Sequence, residues 1–143
     1  MREALVEARK GADAGEAPVG AIVVSAEGEI LSRAHNSPIG TNDPTAHAEI
    51  LALREAARRT GNYRLTGCAL VATIEPCPMC AGAAVAARVA NIVYGAADPK
   101  AGAVTTLYNI ASDPRLNHRA EVVGGVLADE CAGLLKEFFQ KRR

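Results

Sequence analysis

Along this chain, hydrophobic and polar positions switch between a helical period and a strand-like one, and each switch marks an element. Residues 2 to 14 read as a short amphipathic helix, ended by Gly15 and Pro18. VGAIVVS and EILSRAH, separated by an Ala-Glu-Gly turn, predict two paired strands, and NSPIGTNDP after them reads as a loop. From about Thr45 to Arg59 the spacing of Ile50, Leu51, Leu53 and Ala57 predicts a helix, with Gly61 and Asn62 as its stop signal. CALVATI is apolar enough to be a third strand buried in the middle of a sheet. A small-residue helix from Pro78 to Ala90, a fourth strand at ANIVYGA, a short fifth at AEVVGG and a final helix from Ala128 to about Lys141 complete the pattern. Such alternation implies an α/β layered domain with helices on both faces of the sheet. The 143 residues fit one domain, 1–143, and a chain of that size buries roughly 68 to 70% of its unfolded surface.

Composition narrows the function classes. The chain is 49% hydrophobic and 22% charged, and no apolar run approaches the roughly 20 residues that span a bilayer. MREALVEARKGADAGEAP interleaves charge with apolar residues and does not read as a signal peptide, so a cytoplasmic protein is expected. Sixteen basic residues balance 16 acidic ones, which excludes the global positive charge of a general nucleic-acid binder. With 3% aromatic residues and no Trp, a base-stacking platform is also excluded, and any polynucleotide contact must be local. In a reducing compartment the four cysteines read as metal ligands or buried thiols, and their spacing has to decide which.

The chemistry concentrates at HAE and PCPMC, each opening a predicted helix whose free amides carry partial positive charge. Cys77 and Cys80, three apart on a first turn, can face one ion, and Pro78 suits the first helical position. A helix N-terminus also favours thiolates. His47 is the natural third ligand for zinc, and three protein ligands leave one tetrahedral position open, the mark of a catalytic site. Glu49 follows His47 by two residues, a rotation of roughly 200° on a regular helix, which keeps its carboxylate off the ion and free for proton transfer. A water activated by the metal, with its pKa near about 7, would attack an amine-bearing ring carbon while Glu49 shuttles the proton. Cys68 and Cys131 read as buried inert thiols, and His35 and His118 as turn or surface residues no less than substrate contacts. Asp98 and Lys100 can equally build a turn.

HAE followed by PCPMC resembles the signature of the cytidine deaminase-like superfamily, whose zinc ligands and proton-carrying Glu are a known pattern. The chain as a whole is similar to the bacterial tRNA-specific adenosine deaminases. That similarity runs from APVGAIVV through DPTAHAEILALR, NYRL, EPCPMCAGA and YGAADPKAGA to NHRAEVVGGVLADECAGLLKEFF; Thr105 and Thr106 stand where many relatives carry Gly-Ser. The resemblance implies a three-layer α/β/α fold with a central, mixed, mostly five-stranded sheet. It implies one zinc per chain, a homodimer, and hydrolysis of the wobble adenosine of a tRNA anticodon to inosine. It implies substrate contacts from Asn36, from the backbone of Ala48, and from Asp98 and Asn117 beside flanking nucleotides. Lys100, Arg119, Arg142 and Arg143 would supply phosphate contacts. AGAAVAARVA offers a small-residue face on which a second copy could pack. Composition and spacing leave two other substrates and roles open: a small base or nucleoside such as guanine, cytosine or cytidine, or a non-catalytic zinc-binding, RNA-binding subunit. The intact Glu49 speaks against the last.

Overall fold

In the computed structural model, which describes residues 1–142, the predicted alternation becomes a five-stranded sheet between two helical layers. The elements are α1 (Arg2–Asp13), β1 (Gly20–Val24), β2 (Ile30–His35), α2 (Pro38–Thr41), α3 (Ala48–Thr60), β3 (Ala69–Ile74), α4 (Pro78–Ala86), β4 (Asn91–Ala96), β5 (Glu121–Val123) and α5 (Ala128–Lys141). The strand order is β2-β1-β3-β4-β5. β1 runs antiparallel to β2 and β3, whereas β3, β4 and β5 are mutually parallel, so the sheet is mixed. Leu70 pairs with Ile92 and Ala72 with Tyr94, which sets the register of the two central parallel strands.

Side chains alternate across the sheet as the strand period demands. Ala21, Val23, Leu70, Ala72, Ile92 and Tyr94 join Ala52 and Leu53 of α3 and Ala81, Ala84 and Val85 of α4 in the main core. The intervening residues Ile22 and Val71 pack with Ala4 of α1, while Leu5 packs with Ala96 and Cys131 of α5. α1 and α5 therefore cover one face and α3 and α4 the other. No helix among the described residues is long and apolar enough to cross a membrane.

Three boundaries differ from the sequence reading, each for a local reason. NSPIGTNDP is not all loop: Pro38 opens the short helix α2, whose Ile39 and Gly40 amides donate to the Glu16 carboxylate at 3.2 and 2.8 Å. α3 starts at Ala48 and not Thr45, because Asp43 Oδ1 accepts the Thr45 amide and hydroxyl and holds a turn there. α4 stops at Ala86, short of Ala90: Arg88 takes a left-handed φ of 60°, and Ala87 O accepts the Leu65 amide instead. A 3-10 turn at Ile110–Ser112, which the hydrophobic pattern does not announce, lies against α4. Gly61 ends α3 in the left-handed conformation, as its position past the last apolar residue leads one to expect.

Candidate active site

Two helices begin at one end of the sheet, and their first residues meet. β3 ends at Ile74 and leads through Glu75 and Pro76 into Cys77, the N-cap of α4; His47 is the N-cap of α3. Both caps are extended, with ψ of 151° and 174°, so neither His47 nor Cys77 lies on its helix. The rotation argument that separates His47 from Glu49 on a regular helix therefore does not apply. His47 faces the site from before the helix, and Glu49 from its first turn.

His47 Nδ1 stands 3.5 Å from Cys77 Sγ and 3.5 Å from Cys80 Sγ, and one donor atom from each residue lies within 4.8 Å of the other two. A tetrahedral zinc with Zn–S of about 2.3 Å and Zn–N of about 2.0–2.1 Å would set sulfur and nitrogen roughly 3.5 Å apart. The donor set and its spacing thus fit zinc. Cys80 is fully buried, and Glu49 beside it is 2% exposed.

Burial tunes the ionisable groups here. Hydrogen bonding to Cys80 pulls the Cys77 thiol down to about 5, and the same contact pushes Cys80 up. Burial pushes Glu49 up to about 7, where a carboxyl group can both take and give a proton near neutral pH. Cys68 and Cys131 lie elsewhere in the core, and burial raises both thiols.

The remaining expected contacts fall into two groups. Asn36, at the end of β2, accepts the Ala48 amide on Oδ1 at 2.8 Å. A backbone N–H demands an acceptor, which fixes the side-chain amide with its NH2 as the group left to donate. The Ala48 amide is thereby committed to Asn36. Asp98 lies beyond β4 at the same end of the sheet, and its Oδ1 accepts the Lys100 and Ala101 amides at 2.9 and 3.2 Å. Asp98 therefore builds a turn that leaves Lys100 exposed. Arg142 lies over the Phe138 ring at 4.2 Å and donates to Gly15 O at 3.3 Å. Asn117 and Arg119 are not brought to this end. Asn117 accepts from Arg88 at 2.8 Å past the far end of α4, and Arg119 donates to Pro114 O and Leu116 O within its own loop. Arg143 lies outside the described residues.

Three buried carboxylates escape the sequence reading, and Glu7 of α1 is simply paired with Lys10 at 3.1 Å. Glu16, 3% exposed, holds α2 through Ile39 and Gly40. Glu75, 1% exposed, accepts the amides of Asp98, Val104, Thr105 and Thr106 and the Thr106 hydroxyl. Burial raises the Glu75 carboxyl, but the bonds from Thr106, Thr105 and Asp98 outweigh it and hold the group below its ordinary value. An acidic residue closing the apolar strand CALVATI, directly before the Pro-Cys step, was the available signal.

Comparison with known proteins adds to this geometry. The family model for the cytidine and deoxycytidylate deaminase zinc-binding region matches residues 1–96. The tRNA-specific adenosine deaminase of Bacillus subtilis (strain 168) is 50% identical over 143 residues, covering 100% of this chain and 88% of that protein. A structure from a study of A-to-I editing by tRNA:A34 deaminases at the wobble position superposes with a TM-score of 0.89 at 42% identity, covering 94% of this chain and 96% of the other. The guanine deaminase of Nitrosomonas europaea is more distant, with a TM-score of 0.78 at 27% identity over 94% of this chain and 80% of the other.

Proposed function

The chain belongs to the cytidine and deoxycytidylate deaminase family, within its group of tRNA-specific adenosine deaminases, and from that membership we propose how its residues act. The protein is a zinc-dependent enzyme that hydrolyses adenosine to inosine at the wobble position of a tRNA anticodon. The observation that carries this reading is the buried Glu49 beside a three-donor cluster of zinc dimensions, in a chain similar over its full length to such deaminases.

His47, Cys77 and Cys80 would hold the zinc, which when bound supplies a Lewis acid that brings a water near deprotonation at neutral pH. Glu49 takes a proton from the attacking water and delivers it to a ring nitrogen of adenine. Once the C6–O bond has formed, Glu49 takes the remaining proton from the new C6 hydroxyl and passes it to the amine, so that the C6–N bond breaks, ammonia departs and the ring keeps a C6 carbonyl. Asn36 donates its NH2 to an acceptor on the target nucleotide, and Ala48 serves that contact by fixing the Asn36 oxygen. Lys100 and Arg142, both exposed at this end, together with Arg143, take phosphates; Asp98 orders the turn that presents Lys100.

The chain works as one domain, 1–143, in the cytoplasm, and as a homodimer. Gly82 and Ala86 of α4 are exposed on the side opposite the buried Ala81, Ala84 and Val85, which suits close packing of a second copy. In a dimer the far-end residues Asn117 and Arg119 would reach substrate only across the subunit boundary. Sedimentation at micromolar concentration tests the assembly, and a fully active monomer would overturn it. For the activity, the test offers purified protein an adenosine-containing anticodon stem-loop and, separately, free adenosine, guanine and cytidine. Inosine and ammonia should form on the stem-loop; equally efficient turnover of a free base or nucleoside would replace the tRNA reading with a small-molecule one.

A further inference from the structure

We propose that Glu75 is a positioning residue for the RNA substrate: its buried carboxylate fixes the loop from Asp98 to Thr106 against the strand end that carries Cys77. This rests on the tRNA reading above, since that loop presents Lys100 and the Asp98 turn.

The carboxylate is enclosed, yet among the described residues no cation lies within ion-pair reach of it. Its charge is balanced instead by five donors from one loop. Oε2 accepts the amides of Val104, Thr105 and Thr106 at 3.3, 2.9 and 2.9 Å, while Oε1 accepts the Asp98 amide at 3.2 Å and the Thr106 hydroxyl. Successive amides converging on one anion form a rigid concave nest, here with the anion supplied by the protein itself. The Ala103 amide adds a bond to Pro76 O at 2.9 Å, and the Glu75 amide donates to Ala96 O at 2.8 Å. Gly102 is buried against the carboxylate, where a Cβ would collide with Glu75 Cδ and Oε1. The loop is therefore referenced, bond by bond, to the residue two positions before Cys77. Its outward side is exposed at Pro99, Lys100, Thr105 and Thr106.

An ordinary structural glutamate could tie down any loop; this one ties the loop that presents a phosphate ligand to the backbone that presents a zinc ligand. Loosening it should therefore weaken substrate binding more than chemistry. Glu75→Gln keeps the shape but places an NH2 against donors. Whichever way the amide turns, at least one loop amide is deprived of its acceptor.

The experiment measures kcat and KM on the anticodon stem-loop, zinc content, and amide hydrogen exchange for the parent and Glu75→Gln. Expected are one zinc per chain, kcat within about threefold of the parent, KM raised tenfold or more, and faster exchange at Val104, Thr105 and Thr106 with α3 unchanged. Faster exchange with an unchanged KM would overturn the proposal, as would loss of zinc with a matching fall in kcat. If Glu75→Gln does not fold, Thr106→Val decides. It removes one donor and leaves no buried amide unpaired, so KM should rise severalfold with kcat held, and an unchanged KM would overturn the proposal. If the parent itself fails to deaminate the stem-loop, the tRNA reading falls on that result alone, and unaltered exchange at Val104–Thr106 would overturn the positioning role independently.

Discussion

The two ends of the parallel strands treat their charged and polar groups in opposite ways. At the carboxyl ends of β3 and β4, Glu49, Glu75 and Cys80 are enclosed, Glu49 is pushed up to about 7, and Cys77 is drawn down to about 5. At the amino ends the polar groups are exposed or half-buried and already spent. Arg88 donates to Asn117, His118 Nε2 donates to Val89 O at 2.7 Å, and Arg115 pairs with Asp113 at 2.6 Å. Exposed ion pairs of that kind contribute little and are screened by salt. Enclosed ionisable groups whose pKa values are displaced in opposite directions mark a site where protons and ligands can be exchanged. The sheet gives both ends the same backbone scaffold, and the contents of the loops make one of them reactive.

Substitutions should separate the ends sharply. The largest effect is expected from Cys77→Ala or Cys80→Ala, which should abolish zinc binding and reduce deamination to background, whereas Cys68→Ala and Cys131→Ala leave the zinc content of the folded protein unchanged. Elemental analysis alongside activity checks both; full zinc in a Cys80→Ala protein would place the metal elsewhere. Next comes Asn36→Ala, which removes the donor left free and the acceptor of the Ala48 amide together. Turnover should fall about 10²-fold on every RNA carrying the target, within the range expected when one oriented polar group is withdrawn from a reacting centre. A pure KM effect would reassign Asn36 to ground-state binding.

Removing Arg142 and Arg143 should act more mildly, weakening RNA binding severalfold across sequences. The salt dependence should flatten by about 0.7 in slope for each single-strand phosphate that is no longer neutralised. Binding titrations at several salt concentrations would show it, and an unchanged slope would leave Arg142 with its packing over Phe138 and its bond to Gly15 O. The smallest effect belongs to the quiet end. Hydrogen bonding from the Arg115 side chain holds the Asp113 carboxyl down at about 2, so that pair stabilises the fold above the ordinary value of 3.8 and its contribution fades as pH falls through about 2. Arg115→Ala should return Asp113 toward 3.8 in an NMR titration while leaving kcat within twofold of the parent. A large loss of activity would mean that the Asp113–Arg115 pair itself, and not only Asn117 and Arg119 across a dimer boundary, serves the reaction.

Legibility in the sequence tracks how local each interaction is. His47, Glu49, Cys77 and Cys80 stand out because two short motifs hold them at fixed spacing, and the strands stand out because alternation along VGAIVVS or CALVATI is itself local. Asn36 becomes visible only through resemblance, since its partner Ala48 lies 12 residues away across a loop. Glu75 and its loop are separated by 23 to 31 residues, and no periodicity links a carboxylate to amides that only a folded turn points at it. The start of α3 departs from the apolar spacing for a related reason. Asp43 competes for the Thr45 amide through its side chain, and hydrophobic spacing does not register that competition. Asn117, singled out through the resemblance, is bonded within the chain to Arg88, 29 residues away, a pairing that no spacing along the sequence announces.

The most direct test of the account measures zinc content and inosine formation side by side in Glu49→Ala. Glu49 is assigned to move protons and to hold no metal, so the variant should keep one zinc per chain and its affinity for the stem-loop. Turnover should drop at the upper end of the 10²- to 10⁴-fold range for general acid-base groups, or beyond it, since one carboxylate serves several steps. Activity within tenfold of the parent, or loss of the zinc along with the activity, would contradict it.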